Sequence, residues 1–142
     1  VHGFRYNARV LARHLAETRF GISPERRRFR QDEVASFLAT QAAEAGELWN
    51  QKAYLARAVA FDPDIGIVDQ GVVPLAHFVD APGPDAAAVT VVADDRGEVY
   101  PAIYLRRRGK VEEHALAPNP MFDFQTPEHR EQLDALVGAL GR

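Results

Sequence analysis

Asp69, His77, Tyr104 and His114 are the side chains in the second half of this sequence whose types suit proton transfer. A carboxylate, two imidazoles and a phenol can act as acid, base and hydrogen-bond donor, provided each reaches the proton it moves. Nothing in their spacing demands that they meet. A lone histidine on a strand is ordinarily a surface or half-buried residue. The five histidines are His2, His14, His77, His114 and His129, and no two lie within four residues of each other. Metal-ligand spacing is therefore not encoded locally. The chain has no cysteine, which excludes disulfides, thiolate zinc sites and cysteine nucleophiles. Phosphate-cradling glycine loops, zinc-protease helices and serine-hydrolase elbows are absent as well. The expected chemistry needs neither metal nor cofactor.

Aromatic side chains form the second group. Trp49, Tyr54, Tyr100, Tyr104, Phe122 and Phe124 are the candidate binding anchors, because large rigid aromatics dominate interface energetics. For Met121, Phe122 and Phe124 the plainer reading is that they pin an irregular connector over the core.

Arg26-Arg27-Arg28-Phe29-Arg30 is the densest basic cluster, and guanidinium groups suit bidentate phosphate contacts. Glu25, Asp32 and Glu33 surround it, however, and the chain is acidic, with a pI near 5.9. Nucleic-acid modules are typically basic along a face. Solvated charge or contact with the acidic half is the favoured reading of the cluster, and of Arg106-Arg107-Arg108 at a hairpin tip. Asp62-Pro63-Asp64 resembles the proline–aspartate element of one nuclease superfamily. That site needs a further acid followed two residues later by lysine, to hold a metal and polarise water. No acid after Asp64 is followed by lysine at that distance, so the nuclease reading fails.

The elements that must carry these residues follow from periodicity. Asn7 can cap a helix over Ala8–Thr18, with Val10, Leu11 and Leu15 on one stripe. Phe20-Gly21-Ile22 leaves it, and Ser23-Pro24-Glu25 offers a new helix start. From Val34 to Val59 apolar or stem-burying residues recur at steps of three and four, the spacing of one helix face. An unbroken helix over 31–60 would be about 45 Å long, while a domain of this size has a radius of gyration of about 14–15 Å. Either it breaks near Gly46, the favoured reading, or its far end packs against another subunit. Ile65–Val68 and Val72–Val79 read as strands around a Gln70-Gly71 turn. Val89–Ala93, Glu98–Arg107 and Lys110–Leu116 read as a meander, bulged or at an edge where Pro101 removes a donor. After the connector Ala117–Gln125, Thr126-Pro127 starts a closing helix that ends at Gly141.

The expected architecture is a single α+β domain over 1–142. N-terminal helices pack on a four- to five-stranded, mainly antiparallel sheet, and a C-terminal helix closes it. The length of 142 residues, with 46% hydrophobic and 26% charged side chains, fits one globular domain. No apolar run can cross a bilayer, and Val1–Asn7 (VHGFRYN) has no secretory pattern. A cytoplasmic protein without membrane contact is expected. Charge is uneven: residues 1–60 carry ten basic and six acidic side chains, residues 61–142 seven and fourteen. The halves can attract each other within one fold or across a dimer.

Two functional readings follow. The first is a non-catalytic binding module, homodimeric, with a protein or small molecule as partner. The second is a cofactor-free enzyme or ligand-binding protein with a pocket between sheet and helices. Nucleic-acid contact through Arg26–Arg30 ranks behind both.

Overall fold

The computed structural model describes residues 2–19, 21 and 26–141. The helix start read at Ser23-Pro24-Glu25 lies outside them. The chain runs α1 (His2–Arg19), β1 (Arg28–Phe29), α2 (Gln31–Glu44), α3 (Gly46–Asn50), β2 (Leu55–Asp62) and β3 (Gly66–Pro74). It continues with α4 (Leu75–Asp80), β4 (Asp85–Ala93), β5 (Val99–Arg107), β6 (Lys110–Ala115) and α5 (Pro127–Val137). Six strands form one sheet in the order β1-β3-β2-β4-β5-β6, and every pairing is antiparallel. The α+β class holds, with six strands where four to five were expected.

Residues 55–60 are the main correction. They form strand, not the far end of a helix. Leu55, Val59 and Phe61 belong to the core cluster that includes α2, while Ala56 and Ala58 belong to the cluster under α4. That alternation is the period of a strand with both faces buried. Its large residues also fall at helical steps from Trp49, so spacing alone could not separate the two. The helix does break next to Gly46, at Ala45. Ala53 then turns the chain with a φ of 62°, its N–H donating to the Val91 carbonyl at 2.9 Å. The first helix also starts earlier than its Asn7 cap, because Tyr6 continues it and packs against the core.

Val72–Val79 divides in two. Val72–Pro74 completes β3, and Leu75–Asp80 is α4. Gln70-Gly71 is no turn. β3 runs through it, with a register shift opposite Ala58/Val59 and a φ of 79° at Gly71. Glycine meets that conformation without strain, as in other bulges. The reversal lies instead at Asp62-Pro63-Asp64, where Asp62 Oδ1 accepts from the amides of Asp64 at 2.8 Å and Ile65 at 3.1 Å.

β3 and β4 both run antiparallel to β2, so α4 must cross over β2 to join them. Ala56, Ala58, Ala86 and Ala88 form the floor on which Leu75 and Phe78 sit. Small side chains allow this short helix to approach the sheet closely. On the other face Val34 and Leu38 of α2, with Leu133 and Val137 of α5, cover Val59, Val89, Val91 and Ile103. These residues are at most 2% exposed, so the layer between the sheet and these helices is filled.

Pro101 sits in regular pairing with Val91 inside the sheet, unbulged. Its carbonyl accepts from Leu116 N, on the β6 side. Its missing donor faces the same side, beyond the last β5–β6 pair, Ala102–Ala115. No bond to β4 is lost.

Arg106 latches the crossover from below. It is buried, lies 4.4 Å from the Phe78 ring centroid, and donates to the carbonyls of Phe78 at 2.6 Å and Pro84 at 3.4 Å. It makes no ion pair among the described residues, and its Nε has no partner. Arg106→Met keeps the stem and removes both bonds. Bonds to a charged group contribute about 1.5–3 kcal/mol, so the expected loss in urea unfolding is about 2 kcal/mol. A more stable Arg106→Met would mean that the cost of burying the charge exceeds the latch.

Candidate functional site

The acid–base candidates do not converge. Asp69 is buried and occupied: Oδ1 accepts from Arg57 Nε at 3.0 Å and Gly71 N at 2.7 Å, and Oδ2 accepts from Arg57 Nη2. The Arg57 guanidinium in turn lies 5.5 Å from the Phe37 ring centroid. Tyr104 stands with the α4 cluster, beside its cross-strand partner Glu113. His114 pairs with Ile103, a residue of the opposite face, and its Nε2 lies 3.5 Å from Glu112. His77 is exposed on α4.

Tyr104 still has a titration signature. Burial, then the charge and hydrogen bond of Glu113, then Tyr100, raise its pKa above the ordinary 10.0. A raised folded-state pKa contributes stability below pH 10 that is lost as pH climbs through the raised value. In an alkaline absorbance titration Tyr104 should ionise after an ordinary tyrosine. Tyr104→Phe should remove that late component and lessen the loss of stability above pH 10. A titration with no late component would contradict the assigned environment.

The aromatic candidates split. Phe124 is fully buried, stacked 6.0 Å from Trp49 and edge-on to His129 at 5.7 Å. Trp49 Nε1 donates to the Ala42 carbonyl at 2.8 Å. Phe122 meets Trp49 edge-on at 5.5 Å yet stays 50% exposed, next to Met121 at 85%. Tyr100 is half-buried two pairs beyond Ala102 on β5. Tyr54 is 74% exposed.

The basic cluster is taken up locally. Arg26 Nη2 donates to Glu17 at 2.9 Å, and Arg30 Nε to Asp32 at 3.2 Å. Arg27 lies 4.6 Å from the Phe29 ring centroid. Glu33 reaches back to Arg30 N at 2.8 Å, closing the start of α2.

What the fold does assemble is a groove along α1. A 280 Å³ hollow is walled by Arg13, Glu17, Arg26 and Gln70. A 430 Å³ hollow is walled by Asn7, Leu11, Gln51, Tyr54 and Leu55. They share Val10, His14, Pro74 and His77, so they meet at the two histidines. The larger of the two lies in the size range of ligand clefts, as do a 540 Å³ hollow at Gln31, Phe61 and Asp62 and a 450 Å³ hollow at Glu98, Pro118 and Phe122.

Each wall has a local cause. The part-buried stripe of α1 is Tyr6, Val10, Arg13 and Glu17, spaced as one helix face. Tyr6 approaches Gly46, where a Cβ would stand 2.9 Å from its hydroxyl. Arg13 lies over Gly71, where any Cβ would collide with the guanidinium. Glu17 Oε1 accepts from both Arg13 Nε at 3.1 Å and Arg26 Nη2 at 2.9 Å. The apolar end is fixed by Leu75 N donating to the Tyr54 carbonyl at 2.9 Å, which ties α4 to the turn before β2. Pro74 ends β3 there and places His77 one helical turn onward.

Val10, Leu11 and Leu15 therefore do not share one buried stripe. Val10 packs inward, while Leu11 is 57% exposed on the groove wall and Leu15 is also exposed. Arg13, His14, Glu17, Gln70 and Leu11 were not anticipated as site residues. Two polar side chains on the inward stripe of α1 disguised it, and the glycine that accepts Arg13 read as a turn.

Chemically the groove offers guanidinium, imidazole and amide donors beside an apolar trough. Neither His14 nor His77 makes a side-chain hydrogen bond among the described residues, so no third group orients an imidazole as catalysis ordinarily requires. No group of three His, Asp or Glu side chains among the described residues could hold a metal ion. None of their helices is long and apolar enough to cross a membrane. No family model, no curated protein and no solved structure matches this chain.

Proposed function

We propose that this domain is a non-catalytic binding module whose working surface is the groove along α1. The observation that carries the reading is the meeting of the two hollows at His14 and His77. The layer between the sheet and α2/α5 is filled, and the 540 Å³ hollow at its end, between Gln31, Phe61, Asp62 and Gly141, has no second hollow joined to it through shared histidines among the described residues. Exposed Leu11 and Tyr54 on the groove wall are the kind of unburied apolar surface that marks an interaction site. The uncharged fluorophore phenylnaphthylamine tests this reading. Saturable fluorescence enhancement is expected, weakened at least several-fold by combined Leu11→Ser and Tyr54→Ser and unchanged by Phe122→Ser. No saturable binding, or loss only on Phe122→Ser, overturns it.

A homodimer is favoured by a separate observation. Of the ion pairs among the described residues, Arg57–Asp69 alone joins the basic first sixty residues to the acidic remainder. The charge imbalance is therefore little used within the fold and suits association between copies. Sedimentation at low and high salt should give a dimer that weakens as salt screens it. A monomer at every salt concentration contradicts this.

A further inference from the structure

We propose that the groove takes an elongated amphipathic monoanion, with its anionic head at the Arg26 end and its apolar body against Leu11 and Tyr54. This rests on the groove being the working surface, and names the chemical class it selects.

The two hollows are not chemically alike. Beyond the four residues they share, one is walled by Arg13, Arg26, Glu17, Gln70, Val72 and Val73, and the other by Asn7, Leu11, Gln51, Tyr54 and Leu55. The charged side chains all stand at one end, and the exposed Leu11 and Tyr54 stand at the other. From Asn7 to Glu17 the groove follows ten residues of α1, about 15 Å at 1.5 Å per residue. A compact ion fills only one end of such a trough, and a purely apolar ligand leaves the donors unused.

The charge count selects a single negative charge. Arg13 and Arg26 converge on one oxygen of Glu17. Two guanidiniums against one carboxylate leave one positive charge in excess. Glu17 holds both guanidiniums in place, so a head group meets donors that are already ordered, which lowers the cost of binding. Arg26 uses Nη2 on Glu17, and no other hydrogen bond of its side chain is made among the described residues. The Gln70 amide and the imidazoles of His14 and His77 line the same hollow. A monocarboxylate or sulfonate accepts from such donors through charge-assisted hydrogen bonds. A multiply charged polyphosphate meets Glu17 with more charge than the excess offsets.

The test uses two fluorophores with the same rings. Anilinonaphthalene sulfonate carries the anion, and phenylnaphthylamine is its uncharged parent. The sulfonate should bind about tenfold more tightly, or about 1.4 kcal/mol. Arg26→Gln should bring the ratio of the two affinities to about one. Decanoate should displace the sulfonate at about a tenth of the concentration that decanol needs. His77→Gln, on a different element, should narrow the gap in the same direction and guards against a fold defect in Arg26→Gln. Equal affinity of the two fluorophores, or a gap untouched by both substitutions, overturns the ligand class while the groove reading stands. Failure of both to bind overturns the two together.

Discussion

Asp69→Ala should lower the unfolding free energy by about 3 kcal/mol, the lower end of what breaking a buried ion pair costs. Both oxygens of Asp69 are engaged, by Arg57 and by the amide of Gly71. Removing the carboxylate leaves the Arg57 guanidinium, only a quarter exposed, against Phe37 without its counter-charge. It also orphans the amide at the bulge of β3, which leads into the groove wall. Denaturant unfolding should show a lower midpoint with an unchanged slope. Replacing Arg57 and Asp69 together by leucine should cost less than Asp69→Ala alone, because no charge is left unpaired. A loss below about 1 kcal/mol for Asp69→Ala would place this pair with solvent-screened surface bridges.

Phe124→Ala should cost more, about 4 kcal/mol, within the range for deleting a buried aromatic ring. Phe124 is fully buried between Trp49 and His129. His129 is itself fixed, with Nε2 2.7 Å from the Ala117 carbonyl and Nδ1 against the Thr126 hydroxyl. The ring thus holds the connector and the start of α5 to the core. Trp49 fluorescence should change with the substitution, since its stacking partner is gone. Phe122, two residues away and half-exposed, should cost no more than about 0.5 kcal/mol as Phe122→Ala. Equal losses at the two positions would contradict the division between anchor and exposed ring.

The strength of legibility differs from element to element for physical reasons. The Thr126-Pro127 helix start was readable because a cap and a proline specify it independently, and Thr126 does accept from His129 N. The β4–β5–β6 meander was readable because its turns at Asp94–Gly97 and Arg108-Gly109 punctuate clear alternation; Gly97 and Gly109 have φ of 81°. Leu55–Ala60 was not, because a strand buried on both faces places apolar residues wherever a helix would also want them. Nor was α4, whose short apolar run has too few residues to show a period. Of the site, His77 and Tyr54 were among the candidates, as were Arg26 and its neighbours. Their common location was hidden, since it depends on α1 lying across Gly71. Asp69 looked like an acid for chemistry and is an ion-pair partner instead. That distinction required knowing that Arg57 of β2 reaches Asp69 diagonally, since their register partners are Val72 and Val59.

The most direct test of the central claim is an amide proton–nitrogen correlation spectrum of the labelled protein, titrated with phenylnaphthylamine. Saturable shift changes confined to Asn7–Glu17, Tyr54-Leu55, Gln70–Val73 and His77 are the result expected of a groove along α1. Changes gathered instead around Tyr100 and Tyr104, or at Met121-Phe122, would contradict it.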